Sequence, residues 1–273
     1  MTLGDLINRA KTLAASSAIP EADFFYVLEP LVGISRAQLT LNSDKKLSEV
    51  EIDRALIDFN RLIAGEPPQY ITGKAAFFGN ELSVAPGVLI PRPETEGLVE
   101  LALSRLKNDY RVLDIGTGSG AIAIALKSSC PSLSVEAIDI CPKALEIAKK
   151  NASDCRTDIT FYHGDMFPDN GNIYDAIISN PPYVTATEME QLGTRVKDHE
   201  PWKALFGGED GLDCYRTILG RARQHLSPSG FIALEHGALQ RADISILSQK
   251  MGYSRFDPYS DLQGRDRYLL VYP

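Results

Sequence analysis

The sequence predicts a mixed α/β fold, in which a mostly parallel sheet carries helices on both faces and follows a small helical domain. Two observations support this prediction. From residue 110 onward, short apolar runs rich in Val, Ile and Leu alternate with helical segments. That order is typical of a parallel sheet, because each crossover between parallel strands needs a long connection. The first sixty residues instead carry apolar residues at helical spacing.

The N-terminal region is expected to form four or five short helices. The chain begins with an apolar stripe at helical spacing, made by Leu3, Leu6, Ile7, Ala10 and Leu13. Ser48 and Glu51 have the spacing of a capping box, which starts a later helix, and Pro67 follows its end. Further helical segments lie at 20–32 and 35–41. Such stripes are more often a bundle core than a docking face, so residues 1–72 are predicted to form a helical-bundle domain.

A β-hairpin is predicted next, in a linker of residues 73–92. Residues 76–84 alternate around Gly79-Asn80, which has the composition of a two-residue hairpin turn. The hairpin would join the helical domain to a larger domain of residues 93–273.

The larger domain contains five candidate parallel strands, at 110–115, 133–138, 159–163, 174–179 and 230–234. Two closing strands, at 253–259 and 265–272, flank the turn at 261–264 and are expected to form an antiparallel C-terminal edge. Open α/β sheets bind ligands at the carboxyl ends of their strands. The residues that follow each strand are therefore the candidates for a functional site.

A glycine-rich turn follows the first of these strands. Gly116, Thr117, Gly118, Ser119 and Gly120 connect that strand to an Ala/Ile helix. Glycines at such a turn let a ligand approach the backbone and expose the N–H groups of the helix N-terminus. The third glycine of the dinucleotide fingerprint is missing, because Ala121 occupies that position.

Two acidic residues follow the next two strands. Asp139 ends the second strand, where a carboxylate is placed to accept the two hydroxyls of a ribose. Asp165 and Met166 follow the third strand, where they could hydrogen-bond an adenine amino group and cover its face. Together with the glycine-rich turn, these residues predict a nucleoside-binding site.

The fourth strand ends in Asn180-Pro181-Pro182-Tyr183. The prolines cannot donate to a strand ladder, so their carbonyl groups are available for other partners. The Asn180 side chain offers one acceptor, the Pro181 backbone offers a second, and Tyr183 offers a ring to stack on. Two acceptors match the two hydrogens of an amide or exocyclic amine. An ordinary strand-terminating turn is the alternative, because Asn-Pro is common in turns.

These motifs resemble the HemK/PrmC family of class I methyltransferases. The resemblance also rests on Gln69-Tyr70-Ile71-x-Gly73 and on residues 86–96 and 200–212, and it runs from about residue 65 to the C-terminus. It implies a Rossmann-like class I methyltransferase sheet and S-adenosylmethionine as methyl donor, with S-adenosylhomocysteine as product. It also implies a substrate, the glutamine side-chain nitrogen (N5) in the Gly-Gly-Gln motif of class 1 peptide release factors.

The resemblance assigns roles to the candidate residues. Catalysis is expected to depend on Asn180, Pro181 and Tyr183, with Pro182 and Arg92 also binding substrate. Cofactor contacts are expected from Gly116, Thr117, Gly118, Ser119, Gly120, Asp139, Asp165, Met166 and Asn180. Residues 1–72 would recognise the release factor.

Several assignments remain open. Arg92 could instead be a solvated charge between two prolines. Glu235 and His236 follow the strand at 230–234 and could serve either the site or a turn. Asp114 could anchor the glycine-rich turn or approach the charged end of the cofactor.

Composition bears on the partner and the compartment. The chain has 273 residues and a net charge of −8, without a Lys/Arg cluster, whereas proteins that grip nucleic acid usually carry a basic face. An acidic enzyme is instead steered toward a basic protein. The four cysteines form no C-x-x-C pair, which disfavours a metal site or a disulfide. No apolar run approaches membrane-spanning length. An acidic residue near the N-terminus stands where a signal peptide would be basic. We therefore expect a cytoplasmic monomer that binds neither metal, membrane nor nucleic acid.

Two other functions fit parts of the pattern. A DNA N6-adenine or rRNA guanine methyltransferase would hold an exocyclic amine between the same two acceptors, although the acidic charge and residues 91–96 disfavour it. In a non-catalytic binding module, the glycine-rich turn would hold a nucleoside and the helical domain would recruit a partner, which leaves Asn180 and Tyr183 without a role.

Overall fold

The computed structural model describes residues 1–273, which divide into two compact units. The first unit comprises Met1–Lys74 with Gly193–His199, and the second comprises Ala75–Leu192 with Glu200–Pro273. No helix in the protein combines the length and the apolar character needed to cross a membrane.

The first unit is helical. Its helices are α1 (Leu3–Ser16), α2 (Glu21–Val32), α3 (Arg36–Leu41), α4 (Glu49–Ile63), α5 (Pro68–Thr72) and the short α10 (Thr194–Lys197). Capping boxes start α1 and α4, where Thr2 and Ser48 each accept a backbone N–H from the acidic residue three positions later. The predicted apolar stripes form the core of this unit, in which the rings of Phe24 and Phe59 meet edge to face at 5.1 Å.

The hairpin consists of β1 (Lys74–Phe77) and β2 (Asn80–Ser83). Its turn residues are Phe78 and Gly79, so the predicted turn at Gly79-Asn80 is wrong by one residue. Both Phe78 and Gly79 have positive φ, 47° and 75°, as a type I′ hairpin turn requires. The Phe78 N–H donates to the Glu96 carboxylate at 2.8 Å, and this contact with a residue distant in sequence helps to hold Phe78 in a conformation that a bulky side chain disfavours.

A seven-stranded sheet forms the centre of the second unit. Its strands are β3 (Arg111–Ile115), β4 (Ser134–Asp139), β5 (Ile159–His163), β6 (Tyr174–Ser179), β7 (Leu226–Glu235), β8 (Arg255–Ser260) and β9 (Asp266–Tyr272). In space they follow the order β5-β4-β3-β6-β7-β9-β8. The first five strands are parallel, and β9 pairs antiparallel with both β7 and β8. The predicted α/β class with its antiparallel C-terminal edge is confirmed.

Helices cover both faces of this sheet. They are α6 (Pro93–Leu103), α7 (Ala121–Ser129), α8 (Pro142–Asp154), α11 (Asp213–Ala222) and α12 (Arg241–Lys250), and a further short helix, α9 (Ala186–Gln191), lies between β6 and β7 in the chain. Successive strand residues point to opposite faces, so Val112 packs in the core layer with α6 and α7, whereas Leu113 packs in the layer with α11 and α12. Burial on both faces explains why these strands are almost continuously apolar.

The register of the strands brings their carboxyl ends together. Ile115 is paired with Ser179 of β6, and Ser179 is paired with Leu234 of β7. Gly116, Asn180 and Glu235, each the next residue along, therefore lie side by side at one edge. The direction in which successive strands are added reverses between β3 and β6, and such a switch point is where open α/β sheets bind ligands.

Candidate active site

The glycine-rich turn between β3 and α7 forms an open cradle. Gly116, Gly118 and Gly120 all have positive φ, at 71°, 57° and 84°, a region that side chains disfavour. A Cβ added to Gly116 or Gly118 would meet no atom within 4 Å, whereas one on Gly120 would lie 3.2 Å from the Ala148 Cβ. The first two glycines thus border space that a ligand could enter, and the third allows α7 and α8 to pack closely.

Asp114 anchors this turn from inside the protein. Its carboxylate is fully buried and accepts hydrogen bonds from the Thr117 hydroxyl at 2.6 Å and the Ala123 N–H at 3.2 Å. Burial raises the pKa of this carboxyl to about 7. Thr117 and Ser119 are also buried, and the Thr117 N–H donates to the Ile138 carbonyl at 3.1 Å while the Ser119 carbonyl accepts from the Asn151 amide at 2.9 Å, so both residues hold the shape of the turn.

Asp139 joins the end of β4 to the glycine-rich turn. One carboxylate oxygen accepts from the Gly118 N–H at 2.8 Å, and the other accepts from the Cys141 N–H at 2.8 Å. Burial raises the pKa of the Asp139 carboxyl. A carboxylate oxygen has two lone pairs, so each oxygen can accept one further hydrogen bond, as a ribose would require.

Asp165 and Met166 follow β5 at the same edge of the sheet. Met166 has a positive φ of 64°, which is uncommon for a residue with a side chain and often marks a functional turn. It packs, partly buried, against the core layer that contains Ile115 and Ile138. The Asp165 side chain is exposed, so its carboxylate is free to meet a ligand.

Asn180 has one end of its side-chain amide held by the protein. Its Nδ2 donates to the Thr95 hydroxyl oxygen at 3.0 Å. No protein group donates to the Asn180 Oδ1 or to the Pro181 carbonyl oxygen, and Asn180 is only partly buried. Both acceptors that the sequence predicts are therefore available at the mouth of β6.

The backbone that follows Asn180 is held by residues 205–211. The Val184 N–H donates to the Leu205 carbonyl at 2.9 Å, and the Gly207 N–H returns a bond of 2.9 Å to the Val184 carbonyl. A Cβ on Gly207 would lie 2.6 Å from the Pro182 carbonyl oxygen, which excludes any other residue at this position. The Gln240 amide adds a bond of 2.9 Å to the Tyr183 carbonyl.

Arg92 lies in the wall of a pocket beside Asn180. Leu89, Asn180, Pro181, Tyr183 and Leu205 also line this pocket. The Arg92 guanidinium donates to the Glu200 carboxylate at 2.6 Å, and the Glu200 side chain is only 2% exposed. Arg92 therefore pairs with a buried carboxylate in the wall of the pocket, and 34% of its side chain remains exposed.

Glu235 and His236 are both buried next to these residues. Burial raises the pKa of the Glu235 carboxyl to about 7, against the opposing effect of the nearby Thr95 hydroxyl. Burial lowers the pKa of His236, and its Nδ1 lies 2.8 Å from the Gly237 carbonyl oxygen, so the ring donates there as neutral imidazole. Burial also raises the pKa of Tyr183, which keeps its hydroxyl protonated at neutral pH.

Three site residues were not predicted from the sequence: Thr95, Glu200 and Gln240. Thr95 and Glu200 do belong to the segments at 86–96 and 200–212 that carry the family resemblance. Their contacts could not be derived from spacing, because Thr95 is 85 residues from Asn180 and Glu200 is 108 residues from Arg92.

Comparison with known proteins agrees with this geometry. Residues 95–196 match the family model of the methyltransferase small domain, and residues 5–73 match that of the PrmC N-terminal domain. A release factor glutamine methyltransferase from Bacillus cereus is 37% identical over 255 residues, which cover 90% of each chain. The chain belongs to the release factor glutamine methyltransferase family. The resemblance inferred from the motifs is thereby confirmed.

Other relatives in this family include a Neisseria gonorrhoeae protein, which is 38% identical over 93% of this chain and 94% of its own length. A Streptococcus pneumoniae protein is 43% identical over 78% of this chain and 77% of its own length. Among solved structures, a methyltransferase from Pyrococcus furiosus has 20% identity and a TM-score of 0.56, over 82% of this chain and 98% of that one. A 16S rRNA methyltransferase from T. thermophilus has 18% identity and a TM-score of 0.55, over 73% of this chain and 49% of that one. These two structures share the fold of the methyltransferase sheet.

Proposed function

We propose that this protein transfers a methyl group from S-adenosylmethionine to the side-chain amide nitrogen of the glutamine in the Gly-Gly-Gln motif of class 1 peptide release factors. The observation that carries the proposal is the orientation of Asn180. Its Nδ2 is bonded to Thr95, which leaves Oδ1 beside the unbonded Pro181 carbonyl as a pair of acceptors for one NH₂ group.

The chemical difficulty lies in the nucleophile. The lone pair of a carboxamide nitrogen is delocalised into its carbonyl group, so the nitrogen attacks poorly. If the Asn180 Oδ1 and the Pro181 carbonyl each accept one N–H, they orient the NH₂ group and favour its partial pyramidalisation. Orientation and fixed dipoles of this kind can lower a barrier by several kcal/mol, on the order of 7–11 kcal/mol in the best cases.

No general base is required in this scheme. The methylated amide nitrogen is acidic enough to lose its proton to water after transfer. The side chains near Asn180 agree with this view, because Tyr183 keeps its proton at neutral pH and His236 is buried against Gly237. The role of Tyr183 is instead to stack on the substrate amide at the pocket wall.

The glycine-rich turn and Asp139 fit the nucleoside of S-adenosylmethionine. The open space beside Gly116 and Gly118 would let the cofactor approach the protein backbone closely. Asp139, which is bonded to the Gly118 N–H, would accept the ribose hydroxyls. Asp165 and Met166 would hold the adenine. When bound, the cofactor supplies an electrophilic methyl group. The side-by-side positions of Gly116 and Asn180 at the sheet edge support transfer between the two halves of the site.

The helical region would recognise the protein substrate. Its match to the PrmC N-terminal domain supports this role, as does the net charge of −8, which favours a basic protein over nucleic acid. We place the enzyme in the cytoplasm, where release factors work, and its four cysteines are free.

The decisive test uses methyl-labelled S-adenosylmethionine with three substrates: a release factor, the same factor with asparagine in place of the glutamine of Gly-Gly-Gln, and duplex DNA or rRNA. We expect label in one tryptic peptide that carries Gly-Gly-Gln. The asparagine substrate should react far more slowly, because its amide is one methylene short of the two acceptors. Label in nucleic acid, or in a different release-factor peptide, would contradict the proposal.

A further inference from the structure

The turn that follows β5 has an uncommon backbone conformation. The Phe167 N–H donates to the Asp165 carbonyl at 2.8 Å, and Met166 between them has a φ of 64°. A three-residue turn with this hydrogen bond and a positive φ at its centre is a γ-turn of the rare, strained kind. Such a conformation persists only where surrounding groups hold the backbone in place.

This γ-turn lies at the carboxyl edge of the sheet, next to the proposed ribose acceptor. The Gly164 N–H donates to the Asp139 carbonyl at 3.1 Å, so the chain enters the turn directly beside Asp139. Asp165 is exposed, whereas Met166 is partly buried against a core layer. These two residues are the ones proposed to hold the adenine, and a change of φ at Met166 would alter the direction of one side chain relative to the other.

Arg221, in the last turn of α11, bridges the two ends of the γ-turn. Its Nη1 donates to the Asp165 carbonyl at 3.3 Å, and this oxygen also accepts the Phe167 N–H. Its guanidinium carbon lies 5.2 Å from the centre of the Phe167 ring, which is within the range of a cation–π interaction. One side chain therefore contacts the first and the third residue of the turn.

The Phe167 ring is itself held by the protein interior. Phe167 is 5% exposed, and its ring stacks on that of His225 with 4.6 Å between the centroids and 13° between the planes. It belongs to the core layer that also contains Tyr174 and Leu219. Since the third residue of the γ-turn is fixed by this packing, Arg221 ties the first residue to a rigid support.

Arg223 offers a matched comparison for Arg221. It makes the same two kinds of contact, since it donates to the Gly252 carbonyl at 2.7 Å and its guanidinium carbon lies 5.6 Å from the centre of the Tyr253 ring. Neither Gly252 nor Tyr253 belongs to the candidate active site. The two arginines therefore differ in which turn they support, and only Arg221 supports a turn of the proposed cofactor site.

We propose that Arg221 is a positioning residue for the adenine of the cofactor: it holds the γ-turn at Met166, so that the Asp165 carboxylate meets the adenine amino group. This inference rests on the proposed function, because it takes the nucleoside of S-adenosylmethionine as the ligand. An ionised carboxylate can only accept hydrogen bonds, and the amino group of adenine offers N–H donors to it. A ligand without that amino group should therefore gain little from a correctly placed Asp165.

The test measures, by titration calorimetry, the affinities of S-adenosylhomocysteine and of an analogue that carries unsubstituted purine in place of adenine. The wild type should prefer the adenine ligand by about 10- to 100-fold, because the analogue lacks one charge-assisted hydrogen bond. In Arg221→Ala this preference should fall to about 1- to 3-fold, and in the control Arg223→Ala it should keep the wild-type value. Partial unfolding weakens both ligands equally, so a merely structural role of Arg221 would leave the ratio of the two affinities unchanged.

A second measurement follows the γ-turn without any ligand. The chain has four methionines, so each methyl signal can be resolved in NMR spectra of the methionine-labelled protein, and a Met166→Leu variant identifies the signal of Met166. We expect Arg221→Ala to shift the Met166 signal. Arg223→Ala should instead shift that of Met251, whose carbonyl oxygen lies 3.5 Å from the Arg223 Nη1.

The outcomes separate this inference from the proposed function. An Arg221→Ala protein with the wild-type preference, or with an unmoved Met166 signal, would overturn the inference and leave the proposed function intact. A wild type that binds both ligands equally well would remove Asp165 from the adenine, and the inference would fall with it. A wild type that binds neither ligand would refute the proposed cofactor and, with it, both proposals.

Discussion

Removal of the Asn180 side chain should nearly abolish methyl transfer without unfolding the protein. Asn180→Ala deletes one of the two acceptors proposed for the substrate NH₂ group, together with the bond of 3.0 Å to Thr95. Loss of that single internal hydrogen bond costs about 1 kcal/mol of stability, which is small beside the typical 5–15 kcal/mol of unfolding. Loss of one orienting dipole in an active site costs about 2.7–4 kcal/mol of barrier, or roughly 10²- to 10³-fold in rate.

Asn180→Asp is a sharper probe, because it keeps the size and an acceptor oxygen. The new carboxylate cannot donate to the Thr95 hydroxyl as the Asn180 Nδ2 does, and it adds a negative charge beside the substrate amide. We expect this variant to be impaired as well.

The assay is single-turnover methyl transfer to a release factor, with S-adenosylmethionine affinity measured by titration calorimetry in parallel. Asn180→Ala should keep much of the cofactor affinity of the wild type and transfer slowly. A wild-type transfer rate in Asn180→Ala would mean that Asn-Pro-Pro-Tyr is only a turn, and the two-acceptor mechanism would be wrong.

Three further predictions concern charge. Asp139→Ala should weaken S-adenosylmethionine binding by about 1.5–3 kcal/mol per charge-assisted bond lost, and an unchanged affinity in calorimetry would remove Asp139 from the cofactor site. The methylation rate at low substrate should fall as added salt shortens the Debye length from about 30 to about 8 Å; a rate independent of salt would exclude steering by the acidic charge. Burial raises the pKa of Asp114 from 3.8 to about 7, so between these values the native state holds a proton that the unfolded chain releases. Its stabilising contribution is complete below about pH 4 and is lost as the pH rises to 7. Asp114→Asn should flatten the dependence of Tm on pH in that window, and a slope identical to that of the wild type would show that Asp114 is ionised in the native state.

Local features of the sequence were sufficient to predict the strands, the glycine-rich turn and the order of the elements. Apolar runs of β-branched residues mark buried strands, and glycine or proline marks their ends, because these preferences act within a few residues. Since parallel strands end at one edge of a sheet, the positions of Gly116, Asp139 and Asn180 at that edge also followed from the sequence. The preference for Gly-Asn in tight turns misplaced the hairpin turn by one residue, because the Phe78 N–H bonds to Glu96 of α6, which is distant in sequence.

The tertiary structure alone determined which side chains complete the site. Thr95 reaches Asn180 only because α6 packs against β9, where Tyr268 holds the Glu94 carbonyl and Gly97 allows the approach. Arg92 pairs with Glu200 across 108 residues of chain. Such contacts depend on how distant elements pack, and no spacing or composition encodes them. The sequence therefore determined which residues stand at the mouth of the sheet, and packing between remote segments determined how the Asn180 amide is oriented there.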